Sequence, residues 1–311
     1  MSETAVSAPA LRPLSSPRRS QRLGERVMLG VLALCAGISA LATIGIVLVL
    51  FSETIRFFMQ VSVLEFLTQT VWTPLFREKH FGILPLLSGS LLVAVGAGLV
   101  ALPWGLLTAV YLSEYAGKRL RAVLRPLLGV LGGIPTVVYG YFALTFVTPF
   151  LQRIIPGVGA FNAASASVVL AVMILPTVTT LSEDAIRSVP QSLREAAYGL
   201  GATPMEVTIR VVLPGGASGI VASYLLGLSR AFGETMVVAM AAGNSPRLTL
   251  NPLESIQTLS AYILQAAQGN IAPETLDYRT LFVVGMMLFL ITLAMNLASR
   301  WVLSRSREAN P

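Results

Sequence analysis

The chain is poor in the side chains that do chemistry. Its 311 residues include one cysteine, Cys35, one histidine, His80, and two aspartates, Asp184 and Asp277. One cysteine excludes an intrachain disulfide and a thiol cluster for a metal. One histidine leaves little from which to build a histidine metal site or a serine–histidine triad, so no catalytic residue and no metal ligand is assigned. No Gly-x4-Gly-Lys-Ser/Thr stretch is present: Lys118 follows Gly117 but precedes Arg119. The backbone cradle for nucleotide phosphates is therefore missing, and any ATP belongs to a partner. Charge is scarce as well. Charged residues make up 12% of the chain, against about 25% in soluble domains.

What is present is apolar. Hydrophobic residues reach 54% and the mean hydropathy is +0.74, which together specify an all-α integral membrane protein with the lipid bilayer as its solvent. Six transmembrane helices of roughly 20 residues each are expected: 28–51, 83–112 (long enough to be tilted or kinked at Pro103), 126–150, a short 165–182 broken at Pro176, 214–244, and 280–303. The run from Met28 is too long for a signal peptide core and lacks a small-residue cleavage site, so it reads as a retained span. Residues 1–27 read as a disordered basic tail, 28–303 as the membrane domain and 304–311 as a second tail. Gly129 and Gly133 have the spacing of close helix packing, and Gly133-Ile134-Pro135 resembles a turn.

The net charge of +7 is a matter of orientation rather than of nucleic-acid binding. Fifteen of the 22 lysines and arginines fall in 1–27, 113–125, 183–213 and the end from Arg300 onward; six fall in the opposite loops 52–80, 151–164 and 245–279. The positive-inside rule then places both termini in the cytoplasm. In the first outer loop, Phe57, Phe58, Phe66, Trp72 and Phe76 suggest an interfacial helix at headgroup level. In the second, 255–268 has helical apolar spacing.

The fifth span organises the chain. Gly215, Gly219, Ser223 and Gly227 recur every fourth residue, the small-residue stripe along which helices approach closely. On a continuous helix Arg230 and Glu234 share that face. Ionisable groups at mid-depth are costly and are placed where protein or water receives them. Two readings stand. The pair bridges i to i+4 and neutralises itself, or Arg230 meets a passing anion while Glu234 restrains it.

Between the fourth and fifth spans, 183–213 reads as a compact cytoplasmic helix–turn–helix. Ser188-Val189-Pro190-Gln191 and Thr203-Pro204-Met205-Glu206 have capping-box spacing with proline in the first turn. Gly199 and Gly201 separate the two helices.

Here the residues resemble a known family. Glu195-Ala196-Ala197, then Gly201, then Leu213-Pro214 is similar to the EAA loop of ABC importer permeases, with Val211 where isoleucine is usual. More specifically, Phe81 to Pro85, Tyr111 to Tyr115, Gly133 to Gly140 and Arg230 to Met236 resemble the permease subunits of phosphate-specific ABC importers, of the PstC type. The resemblance implies the type I ABC permease architecture in a bacterial inner membrane. It implies a heterodimer with a sister permease of PstA type, a cytoplasmic ATPase dimer of PstB type and an extracytoplasmic phosphate-binding protein of PstS type. Glu195, Ala196, Ala197, Gly201, Leu213 and Pro214 would couple to the ATPase, and Arg230 and Glu234 would line the substrate path. No cofactor is expected on this chain, since ATP and magnesium would be used by the partner ATPase. Three rivals remain: a permease for sulfate or molybdate with the same loop; an ion-coupled carrier, which needs a titrating carboxylate and often shows inverted repeats; and a membrane enzyme, for which the constellation is missing.

Overall fold

The computed structural model describes residues 19–308, apart from 270 and 274. Most of the expected tail 1–27 and the end of 304–311 lie outside those residues. The chain divides between Val49 and Leu50. The first unit carries most of α1 (Arg19–Phe58), which begins ahead of the expected span. Its apolar side chains, among them Leu32, Leu34 and Leu41, are exposed.

The second unit holds the rest. After α1 come the short α2 (Val63–Thr68) and α3 (Leu84–Val110), which runs through Pro103 into a π turn, Tyr111–Tyr115. Residues 113–125, expected as a basic loop, are mostly helix: α4 spans Lys118–Gly133. A run of α5 (Thr136–Phe142), a π turn and α6 (Thr148–Ile154) follows. This run meets α4 at 88°, so the expected span 126–150 is not one straight helix. Two glycines precede the bend, and Ile134 is held extended (φ −66°, ψ 130°), as a residue before proline must be.

α7 (Ala163–Arg187) is the central helix, packed against α3 and α10, which also pack on each other. Asn162 caps it by accepting from Ser165 N at 2.7 Å. The break expected at Pro176 does not occur. A proline removes one backbone hydrogen bond, and burial of Pro176 among packed neighbours holds the helix together. α7 also absorbs 183–187, the first residues of the expected loop. Alanines 97 and 101 of α3 and Ala166 and Ala171 of α7 lie in one buried cluster, small residues that let helices approach closely.

Then come α8 (Gln191–Gly199), α9 (Pro204–Val207), a π turn (Thr208–Val212) and α10 (Leu213–Phe232). The first expected capping box does not form. Ser188 ends α7 instead and donates to Ala185 O at 2.7 Å, while Pro190 precedes α8 without a side-chain cap. The second box does form: Thr203 N donates to Glu206 Oε2 at 2.9 Å and Glu206 N to Thr203 Oγ1 at 3.4 Å. The expected fifth span is interrupted; α10 stops at Phe232 and α11 (Met236–Ala241) resumes. α12 (Leu259–Gln268) and α13 (Leu276–Glu308) complete the chain. Among the described residues five helices have the length and apolarity to cross a membrane, and six if the bent α4 to α6 pair counts as one span.

On the outer side the aromatic residues are not interfacial as expected. Phe57, Phe66 and Trp72 are buried with Phe81 and Tyr262; Phe76 is exposed. Trp72 meets Tyr262 edge-on at 5.0 Å, a favoured aromatic geometry. Burial pushes the Tyr262 phenol up from its ordinary value, so it remains a neutral hydroxyl, 2.5 Å from Thr280 Oγ1.

Candidate functional site

The small-residue stripe sets the register of α10 on α7. A Cβ on Gly215 would lie 3.2 Å from Val189, one on Gly219 would overlap Ala185, and one on Gly227 would lie 2.7 Å from Val178. Between them the Ser223 and Ser182 hydroxyls are 2.7 Å apart. Continuing the same antiparallel register brings Arg230 to Thr177, and its Nη1 donates to Thr177 Oγ1 at 3.1 Å. Thr177 lies six residues from Glu183, about 9 Å along the helix.

Glu234 does not join this arrangement. α10 has ended, and Glu234 Oε1 accepts from Met236 N at 3.2 Å and Val237 N at 3.3 Å, capping α11. Its carbonyl accepts from Ser260 Oγ at 2.7 Å. No Arg230–Glu234 ion pair occurs among the described residues, which overturns the self-neutralising reading and the proposed restraint of Arg230 by Glu234. The i to i+4 argument assumed a continuous helix, and the helix stops two residues too soon. Arg230 is exposed, and Thr177, which accepts its hydrogen bond, is neutral.

Two backbone discontinuities converge near this arginine. Tyr139 lies just beyond the 88° bend. One residue on, a Cβ at Gly140 would press on Met240 and on the Met236 carbonyl, 3.3 Å away, in α11. Irregular backbone at membrane depth is tolerated where protein buries it or where it lines a cavity, and transporters place ligand sites at such broken helices.

A cleft of about 750 Å³ opens beside the stripe, between the end of α7, α8 and α10. Gly215, Gly219, Ser223 and Ser188 line it, and Asp184 is its only charged residue among the described ones. Arg230 is not in its wall. Among the described residues the lining offers an anion no cationic partner.

On the inner side, α8 presents Glu195 and Ala196 to solvent, with Ala197 half-buried against the cluster of Ile186, Val207 and Val212. Gly201 has φ +84° and is exposed. That left-handed conformation favours glycine and turns the chain into the Thr203 cap. Leu213 is half-buried, and Pro214 is exposed in the first turn of α10. Leu193, Tyr198, Leu200 and Met205 are exposed nearby, an apolar surface of the kind that marks an interaction site.

Sequence reasoning missed the charged framework beneath this surface. The Glu183 carboxylate is fully buried on α7, 3.2 Å from Arg125 Nε and 3.1 Å from Arg187 Nη2. Arg194 Nη1 donates to both oxygens of Glu114, at 2.7 and 2.8 Å. Glu183 and Arg187 are one helical turn apart, a visible signal; Arg194 and Glu114 are 80 residues apart and give none.

Residues 101–308 match the family model described as binding-protein-dependent transport system inner membrane component. The chain is 33% identical over 296 residues to the probable ABC transporter permease protein YqgH of Bacillus subtilis, covering 94% of this chain and 96% of that one. It is 34% identical over 260 residues to the phosphate transport system permease protein PstC of Mesorhizobium japonicum, covering 78% of each. Among solved structures, a bacterial alginate ABC transporter in complex with a periplasmic protein superposes with a TM-score of 0.62 at 17% identity, over 91% of this chain and 96% of that one. That likeness concerns the fold.

Proposed function

We propose, from the premise that this chain belongs to the binding-protein-dependent transport system inner membrane component family, that it carries inorganic phosphate across the membrane as one permease of an ATP-driven importer. The chain is a multi-pass inner-membrane ABC permease, a transport subunit rather than an enzyme. The phosphate assignment draws on the relatives' names and on the residues of the fifth span.

The observation that carries the reading is Arg230, exposed within the membrane domain beside two broken helices, with a neutral hydroxyl as its partner. A guanidinium offers five donors in a planar fork suited to an oxyanion. Glu234 spends its carboxylate on backbone N–H groups, so it does not cancel the attraction at short range. Affinity at such a site stays modest, because a conducting site must release what it binds.

The partners in this reading are a sister permease, a binding protein that docks on the outer loops 52–80 and 245–279, and a cytoplasmic ATPase dimer that seats α8. The ATPase holds the nucleotide and magnesium. The test is ATP-dependent uptake of labelled phosphate into vesicles that hold the complete complex, with sulfate, molybdate and arsenate as competitors. Competition by arsenate alone supports phosphate; competition by sulfate or molybdate shows another oxyanion permease.

A further inference from the structure

We propose that the Arg194–Glu114 pair is the strut through which α8 moves the spans, and that Arg194 is a positioning residue for coupling. This rests on the reading of α8 as the surface that the ATPase seats.

Arg194 precedes the Glu195-Ala196-Ala197 motif by one residue but points the other way. Glu195 faces solvent, whereas the Arg194 and Glu114 side chains are 13% and 10% exposed. Besides both Glu114 oxygens, the guanidinium donates to Ile186 O at 2.7 Å, a carbonyl in the last turn of α7 that also accepts from Val189 N at 3.3 Å. One planar fork thus ties α8 to the ends of α3 and α7. A lysine is a point charge without that fork.

Glu114 sits in a place that spreads the motion. It belongs to the π turn that ends α3, and such turns inside helices are frequent at functional sites. The same turn is gripped from α4, where Arg121 donates to Leu112 O at 2.7 Å and Ser113 O at 2.9 Å. It also touches the π turn that leads into α10, with Tyr115 Oη 3.3 Å from Thr208 Oγ1. A displacement of α8 along Arg194 therefore arrives at one junction shared by α3, α4 and the approach to α10. α10 carries Arg230.

The experiment uses the four-component complex in vesicles, with Arg194→Gln, Glu114→Gln and the double variant. Glu114→Gln keeps the shape and an acceptor, which guards against misfolding. Three quantities are read: ATPase retained by pull-down, ATP hydrolysed, and labelled phosphate taken up per ATP. The expected result is retained ATPase and continued hydrolysis. Uptake per ATP falls within the roughly 5- to 150-fold range of site-to-site couplings. The double variant loses no more than the worse single one, since each residue acts through the other. Unchanged uptake per ATP in both single variants would overturn the proposal. So would loss of the ATPase in step with uptake, because the pair would then only shape the docking face. A wild type that moves no phosphate points instead to the cargo assignment. The readout is then stimulation of ATP hydrolysis by the binding protein, which both single variants lose if the strut is real and keep if it is not.

Discussion

Arg230 and Thr177 meet across the α7–α10 interface at 3.1 Å, while Glu234, four residues beyond Arg230, turns back to cap the next helix. An intramembrane arginine is thereby held by a hydroxyl and keeps its charge available, where α10 breaks before α11.

The cap predicts how Glu234 variants separate. Glu234→Gln retains an oxygen for Met236 N and Val237 N and leaves the thermal stability of the purified complex close to wild type. Glu234→Ala removes the acceptor and costs about 1 kcal/mol, as loss of a helix cap does. Equal melting temperatures for the two variants would show that the cap does not hold α11.

The coupling surface predicts opposite effects at two neighbouring glycines. Gly201 has φ +84°, and Gly201→Ala costs about 1–2 kcal/mol for a left-handed L residue. Gly199 ends α8 with open space at its Cβ position, and Gly199→Ala is neutral or slightly stabilising. Thermal unfolding distinguishes them. At the partner level, Glu195→Lys and Gly201→Asp weaken ATPase pull-down; an undiminished pull-down would make the loop a plain connector.

The stripe predicts a compensating pair. Gly219→Ala drives its new methyl into Ala185 and destabilises by about 1–3 kcal/mol, the range for overpacking. Ala185→Gly in the same chain vacates that space and restores part of the loss. Additive losses in the double variant would show that the two helices do not meet there.

Length and apolarity made the spans legible in the sequence, and the four-residue stripe indicated one face of α10. The breaks were not legible, for a physical reason that two prolines illustrate. Pro135 and Pro176 look alike in sequence. Pro176 is buried in a helix whose neighbours hold it straight, while Pro135 follows Gly132, Gly133 and an extended Ile134, with open space where a Cβ on either glycine would lie. The outcome depends on tertiary packing, which a local pattern does not contain. The same holds for Arg230 and Glu234. Their spacing fits a bridge on any unbroken helix, and the competing cap at Met236 and Val237 decides the geometry. The Thr203–Glu206 box lies in a short, exposed turn where local chemistry dominates, and there the pattern sufficed. The Ser188 box failed because Ser188 was already engaged as the end of α7.

The most direct measurement is ATP-dependent phosphate uptake by Arg230→Ala beside the wild type, in vesicles with the sister permease, the ATPase and the binding protein. Arg230 is exposed, so its truncation leaves folding nearly intact, within about 0.5 kcal/mol for a surface site. The account predicts wild-type membrane level and ATPase association, with uptake reduced to background. Normal uptake by Arg230→Ala would contradict it and place the anion path elsewhere in the chain.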